Sequence, residues 1–251
     1  MRRVLLTGYA GSIGIHILGH IFHNTDWEIV GIGSFRHKGL GDRIVETLKD
    51  HLEWVDRLTI VMHDLSAPIS SLTRAKIGKI DYIINLASLS DVEAGVYDPV
   101  TFIQNNVWLM LNLLEYARGI KPEAFIQFST DEVFGPTDGK FLYKEWDSLV
   151  PSNPYAASKA CQEVIATSYW RTYDIPVIIT HTMNNFAEMQ QSSKFPVMIQ
   201  RAIENGDEIT IHGESNGEVG SRSYIHSRNV ADAILFILKN TKPYHHQPLK
   251  V

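Results

Sequence analysis

Gly8-Tyr9-Ala10-Gly11-Ser12-Ile13-Gly14 is the stretch on which the reading of this chain turns. It follows a short apolar run, Val4–Leu6, and leads into a helical pattern over residues 12–23. At such a strand-to-helix turn the three glycines have separate tasks. Gly8 permits a tight turn, Gly11 lets the backbone come close to a bound group, and Gly14 lets helix and strand pack closely. The new helix presents free N–H groups and the positive end of its dipole to whatever lies over the loop. A dinucleotide pyrophosphate suits that environment, with Gly8, Gly11, Ser12, Ile13 and Gly14 as its contacts. Three glycines in seven residues could also form an ordinary loop; the strand before and the helix after favour binding.

Outward from this loop, short Val- and Ile-rich runs alternate with longer helical patterns. Glu28–Ile32, Leu58–Val61, Tyr82–Leu86, Phe125–Phe128 and Val177–Ile179 join Val4–Leu6 as expected strands. Unbroken apolar runs suit strands covered on both faces, hence a parallel sheet between helical layers. Expected helices lie at 12–23, 41–51, 97–118 and 155–173, and Val107, Met110, Leu111 and Leu114 mark an apolar stripe on the third. The alternation predicts an α/β, Rossmann-like doubly wound domain over residues 1–182. Beyond about residue 183 the regularity falls away, leaving helix candidates at 195–205 and 228–239 among turn-rich segments. Residues 183–251 are expected to form a small, partial substrate-binding lobe, interleaved with the first domain through a late strand or helix that returns to the sheet.

Composition narrows the functional classes. The 251 residues carry 23 Lys+Arg against 28 Asp+Glu, a formal charge of −5, with 44% apolar residues. Nothing here resembles the basic footprint of a nucleic-acid binder, and no apolar stretch approaches the ~18 residues of a membrane span. The longest late run, Ala233–Leu238, is far shorter. Thr7, Gly8, Gly11 and Ser12 interrupt the start too early for an export signal. A single cysteine, Cys161, excludes an internal disulfide and Cys-rich zinc sites, so a reducing, cytoplasmic setting is expected.

The end of the second strand, Gly31-Ile32-Gly33-Ser34-Phe35-Arg36-His37-Lys38, contains no acid to accept a ribose 2′-hydroxyl. Ser34, Arg36 and His37 instead offer a hydroxyl and cations to a 2′-phosphate, which favours NADP, with NAD as the alternative. A solvated basic turn is the competing reading.

Tyr155-Ala156-Ala157-Ser158-Lys159 places Tyr155 and Lys159 side by side on one helical face. A neighbouring ammonium favours the phenolate, lowering a tyrosine pKa from ~10 towards working pH. Ser129-Thr130-Asp131-Glu132 follows directly on the Phe125–Phe128 strand, at the sheet end where α/β proteins hold their sites. Thr130, Asp131, Glu132, Tyr155 and Lys159 are therefore the candidate catalytic set.

Together, the Gly8/Gly11/Gly14 spacing, Thr130-Asp131-Glu132 and the Tyr155/Lys159 pair resemble the extended short-chain dehydrogenase/reductases that act on nucleotide sugars, the NAD-dependent epimerase/dehydratase family. The likeness is strongest to its dTDP-glucose 4,6-dehydratases. It continues through Asp98-Pro99, Asn106-Val107, Pro151-Ser152-Asn153-Pro154, Asn184-Asn185 and Arg222-Ser223-Tyr224-Ile225-His226, over nearly the whole chain. The resemblance implies a nucleotide-diphosphate-hexose substrate and a redox-neutral reaction giving a 4-keto-6-deoxy sugar. It implies that Tyr155, supported by Lys159 and Thr130, takes the 4-hydroxyl proton, that Glu132 removes the C5 hydrogen, and that Asp131 protonates the leaving 6-hydroxyl. Tyr155 and Lys159 would also meet the cofactor, Asp64 and Leu65 its adenine end, and Leu86 and Ala87 the chain passing beside it. Ser90, Asn184 and Arg222 would hold the substrate. The family also implies a homodimer through helices 97–118 and 155–173, whose Trp108, Tyr116, Tyr169 and Trp170 suit an interface.

Several positions depart from the family pattern. Its acid after the second strand falls at Gly33, its Glu-Ser-His reads Leu89-Ser90-Asp91, and its Asn-Tyr-Gly-Pro reads Asn185-Phe186-Ala187-Glu188. Ending at Val251, the chain is expected to carry a truncated lobe. A nucleotide-sugar 4-epimerase or reductase would leave Asp131 and Glu132 without a task; a non-catalytic NAD(P)-binding relative would leave the whole set without one. His16, His20 and His23 share a helical face but bring no carboxylate or cysteine, so no metal is expected. His245-His246 reads as a solvated tail, and Cys161 as a small packing residue.

Overall fold

The computed structural model describes residues 1–251 apart from 35, 37, 38, 138, 140, 212–216, 218 and 241–248. Seven parallel strands form one sheet in the order β3-β2-β1-β4-β5-β6-β9. They are β1 (Arg3–Thr7), β2 (Glu28–Gly33), β3 (Leu58–Met62), β4 (Tyr82–Asn85), β5 (Ala124–Thr130), β6 (Val177–Thr182) and β9 (Leu249–Lys250). A separate parallel pair, β7 (Asn184–Phe186) with β8 (Tyr224–His226), builds the start of the lobe.

Helices cover both faces, which explains the largely apolar strands: every residue of β4 and β5 is buried, including the polar Asn85 and Gln127. On one face α1 (Ser12–Asn24) packs against α8 (Ser227–Asn240), Ile15, Leu18 and Ile21 meeting Val230, Ile234 and Leu235 in one cluster. On the other, α5 (Pro99–Ile120) lies against α6 (Pro154–Tyr173), with Leu109, Met110, Leu113 and Leu114 beside Ala166 and Trp170. Both long helices begin with a capping side chain followed by proline at the first helical position. Asp98 accepts from Thr101 N at 3.2 Å, and Asn153 from Ala156 N at 2.8 Å.

Among the late residues, α8 joins the α1 layer, and β9 pairs with β6 through Ile178–Leu249 and Ile179–Lys250. The helix expected at 41–51 forms as α2 (Leu40–Leu48) and ends early, while the shorter α3 (Ser71–Ile77) and α4 (Val92–Tyr97) escape the sequence pattern. The helix expected at 97–118 forms as α5, starting at Pro99, with Asp98 ending α4 and capping α5. In the lobe, α7 (Phe195–Asn205) forms where expected. Among the described residues no helix is long and apolar enough to cross a membrane.

Candidate functional site

Strand order reverses between β1 and β4, which run outward to opposite halves of the sheet, and a crevice opens at their C-terminal ends. There a cleft of about 730 Å³ is lined by the glycine loop, the ends of β2, β3, β4 and β5, the start of α6 and the first lobe residues.

At the glycine loop Gly8 has φ +65°, and a Cβ on it would lie 3.1 Å from Ala87 N. A Cβ on Gly14 would meet Gly8 O at 2.3 Å, so only glycine lets α1 rest against the turn. Gly11 N donates to Gly8 O at 2.9 Å, and Gly11 caps α1 without any side-chain hydrogen bond. The first-turn N–H groups of α1 are thus left for a ligand anion, and the cradle fits the pyrophosphate of a dinucleotide. Thr7 Oγ1 accepts from Leu86 N at 3.1 Å and Ala87 N at 2.9 Å, fixing the strand ends that wall the cleft.

On the adenosine side the expectation needs correcting. Ser34, Arg36, Asp64 and Leu65 do line the cleft. Arg36, however, is no free cation: its Nη2 pairs with Asp64 and its Nη1 donates to Asn105 Oδ1 at 3.3 Å. The two residues expected to serve different parts of a cofactor neutralise each other instead. The Asp64 carboxyl, against its partial burial, is held below the usual range by Ser66 and Arg36. His37 lies outside the described residues.

At the other end of the cleft the candidate catalytic residues come together. Thr130 ends β5, Asp131 and Glu132 form the 3₁₀ turn that follows, and Tyr155 and Lys159 come from the first turns of α6. Thr130 Oγ1 lies 3.3 Å from both Asp131 Oδ1 and Glu132 N and hydrogen-bonds Tyr155. Asn153 Nδ2 donates to Glu132 Oε2 at 3.0 Å, so the N-cap of α6 also orients this carboxylate. Asp131 faces the open cleft, where lost water contact, opposed by Thr130 and the charge of Arg222, raises its carboxyl above the usual range.

The Tyr155–Lys159 pair differs from expectation. Burial, reinforced by the charges of Glu132 and Asp131, pushes the Tyr155 phenol up rather than down. The Lys159 ammonium, only 3% exposed, points to Gln162 Oε1 at 2.8 Å, and its burial brings it down to about 7. Gln162 belongs to a fully buried line of amides: Gln127 Nε2 donates to Gln162 Oε1 at 2.9 Å and Asn85 Nδ2 to Gln127 Oε1 at 2.7 Å. Thr7 Oγ1 closes the line onto Asn85 Oδ1 at 2.7 Å, joining Lys159 to the cleft wall beneath the glycine loop. Glu163, one residue on, is equally buried and receives Ser129 Oγ and His181 Nε2, the latter at 3.0 Å.

Ser90 and Asn184 line the cleft, whereas Arg222 is exposed beside it and reaches the site through its charge on Asp131. Sequence reading missed Arg43, Asn153 and Gln162. Asn-Pro before Tyr155 was a visible cap signal; Gln162, three residues beyond Lys159, lies one helical turn on. Among the weaker candidates, His16 Nε2 lies 3.5 Å from Glu188 Oε2, His20 Nε2 lies 3.3 Å from Asp232 Oδ1, and the described residues bring no metal-binding group together. Cys161 is exposed on α6 and does not pack, against expectation. His245 and His246 lie outside the described residues.

The sequence model of the NAD dependent epimerase/dehydratase family matches residues 4–247. Among curated proteins, the low-salt glycan biosynthesis protein Agl12 of Haloferax volcanii is 34% identical over 220 residues, covering 85% of this chain and 66% of that protein. A dTDP-glucose 4,6-dehydratase of Neisseria meningitidis is 30% identical over 231 residues, covering 85% and 62%. The chain thus spans less than two thirds of these relatives' own length. Of the solved structures, DesIV, a dTDP-glucose 4,6-dehydratase from Streptomyces venezuelae with NAD bound, superposes with TM-score 0.85 at 26% identity, over 96% of this chain and 73% of that one. The UDP-glucuronic acid 4-epimerase of Bacillus cereus shares the fold, with TM-score 0.83 at 23% identity over 96% and 74%. With the family match running almost end to end and the glycine loop, strand order and Tyr155–Lys159 helix in agreement with it, this chain belongs to the NAD dependent epimerase/dehydratase family.

Proposed function

We propose that the chain is a nucleotide-sugar 4,6-dehydratase that converts a nucleotide-diphosphate-hexose to its 4-keto-6-deoxy form. The observation that carries this reading is the meeting of Thr130, Asp131, Glu132 and Tyr155 in the cleft that the glycine loop also lines. An epimerase needs the tyrosine but gives an acid and a base on the adjoining turn no work. Relatives named as 4,6-dehydratases, among them the Neisseria protein and DesIV, support the choice.

A bound nicotinamide dinucleotide would supply a hydride acceptor at C4 and return that hydride at C6. The chain's own residues handle the protons. Tyr155, beside Thr130, accepts the proton of the sugar 4-hydroxyl once ionised to the phenolate, and becomes the neutral phenol that its burial favours. Glu132, held by Asn153, removes the proton at C5 once C4 is a ketone. Asp131, whose carboxyl is raised above its usual range by burial, gives a proton to the departing 6-hydroxyl, so that water leaves and the reaction is redox-neutral. Proton transfers of this kind contribute ~10²–10⁴-fold each. Gly8, Gly11, Ser12, Ile13 and Gly14 would hold the pyrophosphate, Ser34, Asp64 and Leu65 the adenosine, Leu86 and Ala87 the path between, and Ser90, Asn184 and Arg222 the substrate. Residues 1–182 would carry the cofactor and 183–251 the sugar side, interleaved through α8 and β9.

NADP is the proposed cofactor, because Gly33 offers no carboxylate, with NAD as the alternative, which is favoured by the NAD held in the dehydratase and epimerase structures named above. The proposed homodimer would use the outer faces of α5 and α6, where Val100, Trp108 and Val164 are exposed. Tyr116 and Trp170 are buried in the core and would take no part. A panel of nucleotide-hexoses tests the activity. The reading requires a product one water lighter that gains the alkaline absorbance of a 4-keto sugar; a product of unchanged mass would indicate epimerisation.

A further inference from the structure

Arg43, on the first turns of α2, is 8% exposed and lines the cleft beside the glycine loop. Its Nε donates to Met189 O at 2.8 Å and its Nη1 to Ala10 O at 3.3 Å. Both acceptors are neutral carbonyls. Among the described residues Arg43 forms no ion pair, and Nη2 donates to nothing. A guanidinium withdrawn from water without a counter-charge is costly, and burial alone already weakens its hold on the proton. Arg36 is the reverse case, about half exposed and neutralised by Asp64. Of these two arginines, the one left with a charge to offer an incoming anion is therefore the buried Arg43; Lys194 also lines the cleft, from the lobe side.

Its surroundings indicate which anion. Ala10 belongs to the loop whose helix N-terminus is uncapped by any side chain, so guanidinium and free N–H groups face the same part of the cleft. A planar fork suits phosphate oxygens better than a single charge would. Met189 occupies the left-handed region at φ 60°, and the Oε1 of the adjacent Gln190 is buried without a hydrogen bond. The lobe segment is thus held in an unfavourable conformation, with Arg43 as the tie to α2.

Building on the dinucleotide reading above, we propose that Arg43 binds a phosphate of an adenine nucleotide lying on the glycine loop, and that the same side chain clasps the Met189 segment beside it. The cofactor phosphate would then complete an ion pair the protein lacks and steady the lobe on the substrate side.

Calorimetric titration with adenosine, ADP and 2′,5′-ADP tests this without any turnover. Wild type should bind both phosphorylated ligands, and Arg43→Met should lose ~10- to 100-fold in affinity for at least one of them with adenosine unchanged, as expected for one charge-assisted contact. A loss confined to 2′,5′-ADP assigns the guanidinium to a 2′-phosphate; a loss shared by ADP assigns it to the diphosphate. Arg43→Lys, which keeps the charge without the fork, should fall between, and controls for a Met variant that folds poorly. Hydrogen exchange over residues 186–191 should slow on ADP binding in wild type and not in Arg43→Met. Equal affinities in folded wild type and Arg43→Met would overturn the proposal alone; a wild type that binds none of the three would overturn the dinucleotide reading with it.

Discussion

Replacing Lys159 by methionine should make the protein more stable. The lysine is 3% exposed, and its amine is brought from 10.5 down to about 7. At 1.36 kcal/mol per pH unit, that difference amounts to roughly 4–5 kcal/mol against keeping the side chain protonated inside the fold. Some of this returns when the stem's packing and the bond to Gln162 are lost, leaving an expected gain of about 2–4 kcal/mol. Methionine fills a similar length, and Gln162 Oε1 keeps its second donor, Gln127 Nε2, so no acceptor is orphaned. The pH dependence fixes the sign. Between about 7 and 10.5 the unfolded chain binds a proton that the folded chain does not, so wild-type stability rises with pH across that window. The advantage of Lys159→Met should therefore be largest at and below pH 7 and shrink towards pH 10.5. Urea unfolding at several pH values measures it. A variant less stable than wild type at neutral pH, or a difference that does not change with pH, would refute the reasoning.

Other perturbations read separate parts of the site. Gly14→Ala puts a Cβ 2.3 Å from Gly8 O and should cost about 1–3 kcal/mol in urea unfolding and abolish nucleotide binding; a tolerated alanine would remove the glycine loop's stated role. Gly33→Asp enters open space, since nothing lies within 4 Å of the new Cβ. It should move the NADP/NAD affinity ratio towards NAD by ~10- to 100-fold in calorimetry, and an unchanged ratio would show that this strand end does not read the ribose. Tyr155→Phe should leave the cofactor oxidised when a nucleotide-hexose is added in single turnover; reduction at the wild-type rate would exclude Tyr155 as the base.

Much of this architecture was legible because its signals are local. Val4–Leu6, the glycine spacing and the residues 12–23 form one strand–turn–helix unit whose periods change where the structure changes. Strands buried on both faces show as unbroken apolar runs, so Tyr82–Leu86 and Phe125–Phe128 declared the parallel sheet. Thr130, Asp131, Glu132 and Tyr155 were legible for a related reason, since each sits at a strand end or helix start that the pattern already placed. The contacts that set their chemistry were not. Arg36 pairs with Asp64 across 28 positions of sequence, and Lys159 is turned inward by Gln162, whose own partner Gln127 comes from strand β5. Nothing local in the sequence marks Arg43, because its burial is set by the lobe's Met189 carbonyl and the glycine loop, both distant in sequence. Tyr116 and Trp170 appeared interfacial because an apolar stripe does not say which of two partners it faces.

In the proposed reaction hydride leaves C4 and returns at C6 of the same sugar while water is lost. A nucleotide-hexose carrying deuterium at C4, incubated with the protein and its cofactor and read by mass spectrometry and NMR, tests this most directly. The account predicts a 4-keto product one water lighter, with the deuterium at C6 and solvent hydrogen at C5. Deuterium retained at C4 in a product of unchanged mass would contradict it, and would make this chain an epimerase that carries Asp131 and Glu132 for another purpose.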